Sequence, residues 1–296
     1  MADITLLDGG MGQELVHRAG DKPTTLWSTQ VMIGHPGLVG AVHSDYFAAG
    51  ATIATTNTYA ILRDRLVSAG IEDQFETLYA MALSEAQKAR MTHGSGRIAG
   101  AIGPLGASYR PDIHPEPADA TPLYTEIAQI LAPQADIILF ETVASLAHAQ
   151  SAVAAGRQTD KPVWIALTVD DQDGNLLRSG QKVADVLPLI EGASALLANC
   201  SAPEAMPAAL HQLAKSGLPF GAYANGFTQI TTDFLQDAPT VDSLSARSDL
   251  GPDSYAEHVM GWVDMGATIV GGCCETGPAH IAEIARRLRA AGHVVV

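Results

Sequence analysis

Basic charge is scarce in this 296-residue chain: 17 lysines and arginines stand against 32 aspartates and glutamates, a formal net charge of −15. That balance argues against a nucleic-acid partner, because phosphate binding needs a basic face. Cysteine is scarcer still. Three thiols cannot build a disulfide framework, and their odd number fits a reducing compartment. No apolar run approaches the roughly 18 residues of a membrane span. The start, Met1-Ala2-Asp3-Ile4, lacks the basic stretch of a secretory signal. A cytoplasmic protein with no membrane partner is the expectation. Charged residues are only 17% of the chain and apolar ones 47%, so there is ample material for one large core and little reason for disorder. A phosphate-binding glycine loop is also missing: Asp8-Gly9-Gly10-Met11-Gly12 does not match G-x-G-x-x-G.

What is present is a regular alternation. Short β-like runs end at Leu7, Thr56, Ile102, Phe140, Val169, Ala198, Ala224 and Val270, and helix-like stretches such as Glu72 to Arg90, Ala144 to Gly156 and Pro278 to Ala291 lie between them. Near-continuous apolar strands alternating with helices describe a parallel sheet whose outer face is covered. Eight such units in a chain of this length predict a closed (β/α)8 TIM barrel, one domain over residues 1–296, with an open doubly wound sheet as the competitor. Two connections are long, Gly106 to Pro122 and Gly226 to Asp253, and loops of that size are often lids.

In a barrel the chemistry gathers where strands finish. All three cysteines fall there: Cys200 after the sixth strand, Cys273 and Cys274 after the eighth. Buried cysteine is often only a small hydrophobe, but chance placement of all three at one end is a poor explanation. A bridge between adjacent Cys273 and Cys274 is strained. Three thiolates gathered from two loops instead suit an open zinc site, its fourth position left to water or substrate. His280 lies within the last helix and is a weak candidate ligand. Three thiolates make zinc a poor activator of water but leave it able to bind a substrate thiol and keep its sulfur electron-rich. Alkyl transfer to a thiol follows as the reaction class.

Asp8 and Glu141 stand on the same rim, after the first and fourth strands. They are either an acid/base pair or a clamp for a substrate ammonium; the clamp suits an amino-acid thiol better. An Asp-Gly turn is the plainer reading of Asp8. Gly9 and Gly10 would let a backbone N–H approach a carboxylate. Trp27, Tyr59, Tyr109 and Tyr223 are candidate faces for a cationic methyl group.

Taken together, these residues resemble the homocysteine S-methyltransferase family. The likeness runs through Asp8-Gly9-Gly10-Met11-Gly12, Leu26-Trp27-Ser28, His35-Pro36 with His43 and Tyr46, and Thr56-Asn57-Thr58-Tyr59. It continues through Gly103-Pro104, Phe140-Glu141-Thr142, Asn199-Cys200-Ser201 and Gly271-Gly272-Cys273-Cys274. The resemblance implies a (β/α)8 barrel with zinc on Cys200, Cys273 and Cys274. It implies homocysteine held through its amino group by Asp8 and Glu141, with Gly9, Gly10, Thr55 and Asn57 against the rest of the amino acid. Methionine would be the product and a methylsulfonium such as S-methylmethionine the leading donor. Betaine, dimethylsulfoniopropionate and S-adenosylmethionine are alternative donors, and selenocysteine is an alternative acceptor. A non-catalytic zinc or thiol sensor would account for the cysteines but not for the carboxylates. Glu275 and Gly226-Phe227 depart from the family's pattern beside the site. The long C-terminal arm of tetrameric, betaine-using relatives is not matched, so a monomer or small homo-oligomer is expected.

Overall fold

Every run read as a strand is one in the computed structural model, which describes residues 1–20, 24–228, 230, 235 and 244–296. The strands are β1 (Asp3–Leu6), β2 (Ile53–Thr55), β3 (Arg97–Ile102), β4 (Ile137–Val143), β5 (Val163–Leu167), β6 (Ala195–Asn199), β7 (Phe220–Tyr223) and β8 (Ile269–Val270). A ninth, β9 (Val294–Val295), was not expected; it lies against β1, Asp3 opposite Val294. All pairings are parallel, in the order β2-β3-β4-β5-β6-β7-β8-β1-β9. The result is an α/β fold with a curled parallel sheet.

Alternation along the strands divides the apolar residues into two cores, because residues two apart share a face. Ile53, Ala99, Ile137, Leu139, Trp164, Ala166, Ala195, Leu197 and Ile269 form the cluster on the concave side. Their neighbours, such as Ile138, Phe140, Ile165 and Leu196, point outward into the larger cluster beneath the helices. Each fully buried Leu, Ile or Phe there contributes about 1.5–3 kcal/mol. The helices are α1 (Met11–Ala19), α2 (Ser28–Gly34), α3 (Leu38–Ala49), α4 (Arg63–Ser68), α5 (Phe75–His93), α6 (Pro117–Leu131), α7 (Leu146–Gly156), α8 (Met206–Leu213), α9 (Pro252–Asp264) and α10 (Pro278–Ala290).

Three departures have local causes. The β5–β6 crossover is a 3-10 stretch, Val183–Leu189, with Pro188 inside it; proline has no N–H for an α-helical ladder. The connection expected over Gly106 to Pro122 is shorter, because α6 starts at Pro117, where a missing N–H costs nothing, and Pro122 is still in its second turn. Of the connection expected over Gly226 to Asp253, residues 229, 231–234 and 236–243 lie outside the described residues. No helix among the described residues is long and apolar enough to cross a membrane.

Candidate active site

Strand parity aims a ring of polar side chains at one cavity. Two residues beyond Ile53, Leu139 and Leu197 on the concave face stand Thr55, Glu141 and Asn199, each at the carboxyl end of its strand. They line a cavity of about 410 Å³ together with Asp8, Gly9, Gly10, Asn57, Tyr223 and all three cysteines, a size suited to a small-molecule site. Every residue named from sequence as a site candidate, His280 excepted, is therefore on one wall or another of the same space. Trp27, Tyr59 and Tyr109 line it too.

Asp8 is buried, and Thr55 holds both its oxygens: the Thr55 N–H donates to Oδ2 at 2.7 Å and the Thr55 hydroxyl donates to Oδ1. Burial nevertheless pushes its carboxyl up to about 8, and the charge of Glu141 adds to the rise. Glu141 accepts one hydrogen bond, from the Tyr223 hydroxyl at 2.9 Å, and burial pushes it up to about 7. Among the described residues no cation pairs with either group. Two carboxylates enclosed without a counter-charge are costly unless a cationic ligand completes them.

A bulge lies at Glu141-Thr142, beside the cavity. The β4–β5 register slips between Phe140 and Val143, so one extra residue is accommodated and Thr142 takes φ 58°. Bulges of this kind re-aim side chains beside functional sites. Cys200 and Glu275 also have positive φ, 49° and 63°, directly after Asn199 and Cys274. For non-glycine residues such backbone costs about 1–3 kcal/mol each and clusters at functional sites.

The loop after β8 is fastened from several sides. Gly272 N–H donates to Asp8 O at 3.0 Å, Cys273 N–H to Ala224 O at 3.0 Å, and Gly226 N–H to Cys274 O at 2.9 Å. Gly10 packs against it so closely that a Cβ there would fall 2.6 Å from Cys273 O. Its N–H donates to Thr276 O at 2.8 Å. This corrects the expectation for Gly10: that N–H is already committed and is not open to a substrate carboxylate. The paired glycines serve close packing of the first loop on the eighth.

The three Sγ atoms lie within 4.8 Å of one another. Cys200 and Cys273 are joined as a disulfide with Cα atoms 5.8 Å apart, and Cys274 is a free thiol. The pairing across 73 positions was not foreseen, since only the adjacent pair suggested itself in the sequence. His280 is no part of the cluster: its Nδ1 accepts from Gly277 N–H and its Nε2 meets Leu250 O. Removal from water pushes the Cys274 thiol up to about 12, with Glu275 and Glu141 adding to the rise.

Two polar atoms at the site went unnoticed in the sequence. Asn199 accepts from Thr142 N–H at 3.1 Å through Oδ1, while its buried Nδ2 has no partner. The Thr142 hydroxyl is likewise buried without one. Asn199-Cys200 was read for its cysteine, and only the parity of β6 reveals the asparagine beside it.

Known proteins resemble this chain along most of its length. The family model described as homocysteine S-methyltransferase matches residues 5–288. A homocysteine S-methyltransferase of Escherichia coli (strain K12) is 29% identical over 96% of this chain and 95% of its own. A selenocysteine Se-methyltransferase of Brassica oleracea var. italica is 26% identical over 96% of this chain and 88% of its own. The solved metallated form of the homocysteine methyltransferase MmuM from E. coli superposes with a TM-score of 0.80 at 29% identity, covering 96% of both chains. Its oxidized form gives 0.81 at 28% identity with the same coverage.

Proposed function

The chain belongs to the homocysteine S-methyltransferase family, and within it we propose a zinc-dependent enzyme that carries a methyl group from a methylsulfonium donor, S-methylmethionine foremost, to homocysteine. The observation that carries this reading is the joint enclosure of three converging sulfurs and two uncompensated carboxylates in one cavity. A thiol amino acid offers a match for each.

The cysteines fit a metal on their donor chemistry. A tetrahedral zinc with Zn–S bonds of about 2.3 Å sets its sulfurs about 3.8 Å apart, inside the observed 4.8 Å limit. Ligating sulfur must be thiolate, so the disulfide and the metal site are alternative uses of the same atoms. Three sulfurs and an open position suit zinc better than the oxygen-seeking cations. The metallated form of the E. coli relative supports metal binding here. Bound by Cys200, Cys273 and Cys274, zinc would hold the homocysteine sulfur as an electron-rich thiolate near neutral pH.

The chain's own residues do the rest. Asp8, steadied by Thr55, and Glu141, steadied by Tyr223, take the homocysteine ammonium through charge-assisted hydrogen bonds. Asn199 Nδ2 and the Thr142 hydroxyl offer further polar contacts for the amino acid, beside Gly9, Thr55 and Asn57. Trp27, Tyr59, Tyr109 and Tyr223 line the cavity and would supply aromatic surface to a cationic methyl group. A sulfonium leaves as a neutral thioether and needs no acid, so alignment and exclusion of water supply the rate. Betaine, dimethylsulfoniopropionate and S-adenosylmethionine are the alternative donors. The Brassica relative keeps selenocysteine open as acceptor.

For the architecture, we propose that the sheet closes into a (β/α)8 barrel forming one domain over residues 1–296. Leu7 makes a parallel bridge to Ile53, and Thr52 N–H donates to Leu6 O at 2.7 Å, which supports a seam between β1 and β2. We expect a cytoplasmic monomer or small homo-oligomer. The test of function is a mass-spectrometric screen of donors with homocysteine as acceptor. Methionine from a methylsulfonium supports the reading; homocysteine binding with no transfer from any donor would favour a sensor.

A further inference from the structure

We propose that Arg65 anchors a carboxylate of the methyl donor, which makes the donor class a methylsulfonium or quaternary ammonium bearing a carboxylate; the proposal rests on the methyl-transfer reading above. Among the described residues, five formally charged ones other than cysteine line the cavity: Asp8, Glu141, Asp64, Arg65 and Arg110. The first two form its acidic part. The Asp64 carboxylate is occupied by backbone, accepting from Arg65 N–H at 2.8 Å and Gly106 N–H at 3.1 Å. The Arg110 guanidinium grips Asp112 at 2.7 Å and donates to Leu235 O.

Arg65 is different. It is half-buried in the cavity wall, and among the described residues its guanidinium has no hydrogen bond or ion pair. Its neighbour on the same short helix shows that this is not for want of acids: Arg63 takes Glu126 at 2.6 Å and Glu72 at 3.2 Å. In a chain where acids outnumber bases 32 to 17, an unpaired guanidinium facing a cavity is free to take an incoming anion. Guanidinium is the side chain whose fork matches a carboxylate with two parallel hydrogen bonds.

The placement gives the donor a direction. Burial pushes the Tyr59 phenol up to about 12; the charge of Arg65 offsets part of that rise and the charge of Glu141 adds to it, so Tyr59 lies within electrostatic reach of both. Its ring meets Trp27 edge-on, centroids 6.2 Å apart. A donor with its carboxylate on Arg65 would lay its cationic centre along this aromatic wall. The ammonium of the acceptor would occupy the carboxylate pair instead.

The experiment compares the zinc-loaded wild type with Arg65→Ala and Arg65→Lys. The donors are S-methylmethionine, dimethylsulfoniopropionate, betaine and trimethylsulfonium, the last without a carboxylate. Steady-state kinetics are paired with calorimetric donor binding to the homocysteine-bound protein. For carboxylate donors used by the wild type, Arg65→Ala should raise KM and Kd about ten- to a hundredfold, the range for losing a hydrogen bond to a charged group. Arg65→Lys should recover part of that loss. The KM for homocysteine should move by less than about threefold, and trimethylsulfonium should bind all three proteins alike. Unchanged donor constants, or a rise in the homocysteine KM instead, would overturn the proposal while leaving methyl transfer standing. No methionine from wild type with any donor would overturn both.

Discussion

Thr55 holds both carboxylate oxygens of Asp8, through its N–H at 2.7 Å and through its hydroxyl. The contact joins the end of β2 to the second residue past β1, so the strand that brings the threonine also sets the aim of the acid. Removing the hydroxyl with Thr55→Val keeps the shape and deletes one charge-assisted hydrogen bond. Homocysteine affinity should fall by about 1.5–3 kcal/mol, read by calorimetry, with zinc content unchanged. Unaltered affinity would mean that Asp8 does not face the ligand.

Glu141→Gln should act in two opposite senses. It should weaken homocysteine binding by about 1.5–3 kcal/mol, because the ammonium loses a charged partner. The same change should stabilise the unliganded protein. Burial raises Glu141 from 4.5 to about 7, so its native-state proton is retained while the unfolded chain has already lost its own. Stability is full below about pH 4.5 and declines as pH rises through about 7. A shift of this size is worth roughly 3 kcal/mol. Thermal unfolding should therefore show Glu141→Gln above wild type at pH 8, with the gap closing near pH 5. Normal binding with lost turnover would instead make Glu141 an acid or base.

Binding should follow pH with the same carboxylates. With Glu141 at about 7 and Asp8 at about 8 in the free protein, both are largely protonated at pH 6. Each must ionise to hold an ammonium, so affinity should rise from pH 6 to 8 with release of protons. Methionine, which carries the ammonium but no thiol, is the appropriate probe. Calorimetry in buffers of different ionisation enthalpy reads the proton release. A flat profile would contradict the clamp.

How legible this was differs from one element to the next. The eight main strands announce themselves as apolar runs, and their parity carries Thr55, Glu141 and Asn199 into one cavity. The strand ends at β6 and β8 likewise bring Cys200 to Cys273 and Cys274. The bulge at Glu141-Thr142 left no mark, because its positive φ falls on threonine rather than glycine. The hydrogen bond that commits Gly10 N–H to Thr276 was hidden for another reason: it links residues 266 positions apart. β9 is two residues long, too short for a pattern. That Arg65 has no partner among the described residues depends on where the acids lie, which a chain rich in acids does not reveal.

A fourth prediction concerns the loop before α6. The Tyr124 hydroxyl accepts from Leu105 N–H at 3.1 Å and bridges His148 Nε2 at 2.8 Å and His114 Nε2 at 3.1 Å. His148 Nδ1 accepts from Ala144 N–H and His114 Nδ1 faces Pro115 O. Those partners make His148 the donor to the phenol and His114 the acceptor from it. Tyr124→Phe strands two buried donors and should cost about 1–3 kcal/mol in denaturant unfolding. No loss would show that the three rings merely pack.

The central claim is that three cysteines from two loops hold a catalytic metal. Zinc content measured on Cys200→Ala and Cys273→Ala, beside far-UV circular dichroism and methyl transfer, tests it directly. Among the described residues no fourth His, Cys, Asp or Glu joins the cluster, and a core of this size folds without a rim metal, unlike a zinc finger. Both variants should stay folded, lose bound zinc, and make no methionine from homocysteine, although their sites are 73 positions apart. Wild-type zinc and wild-type transfer in either variant would contradict the account.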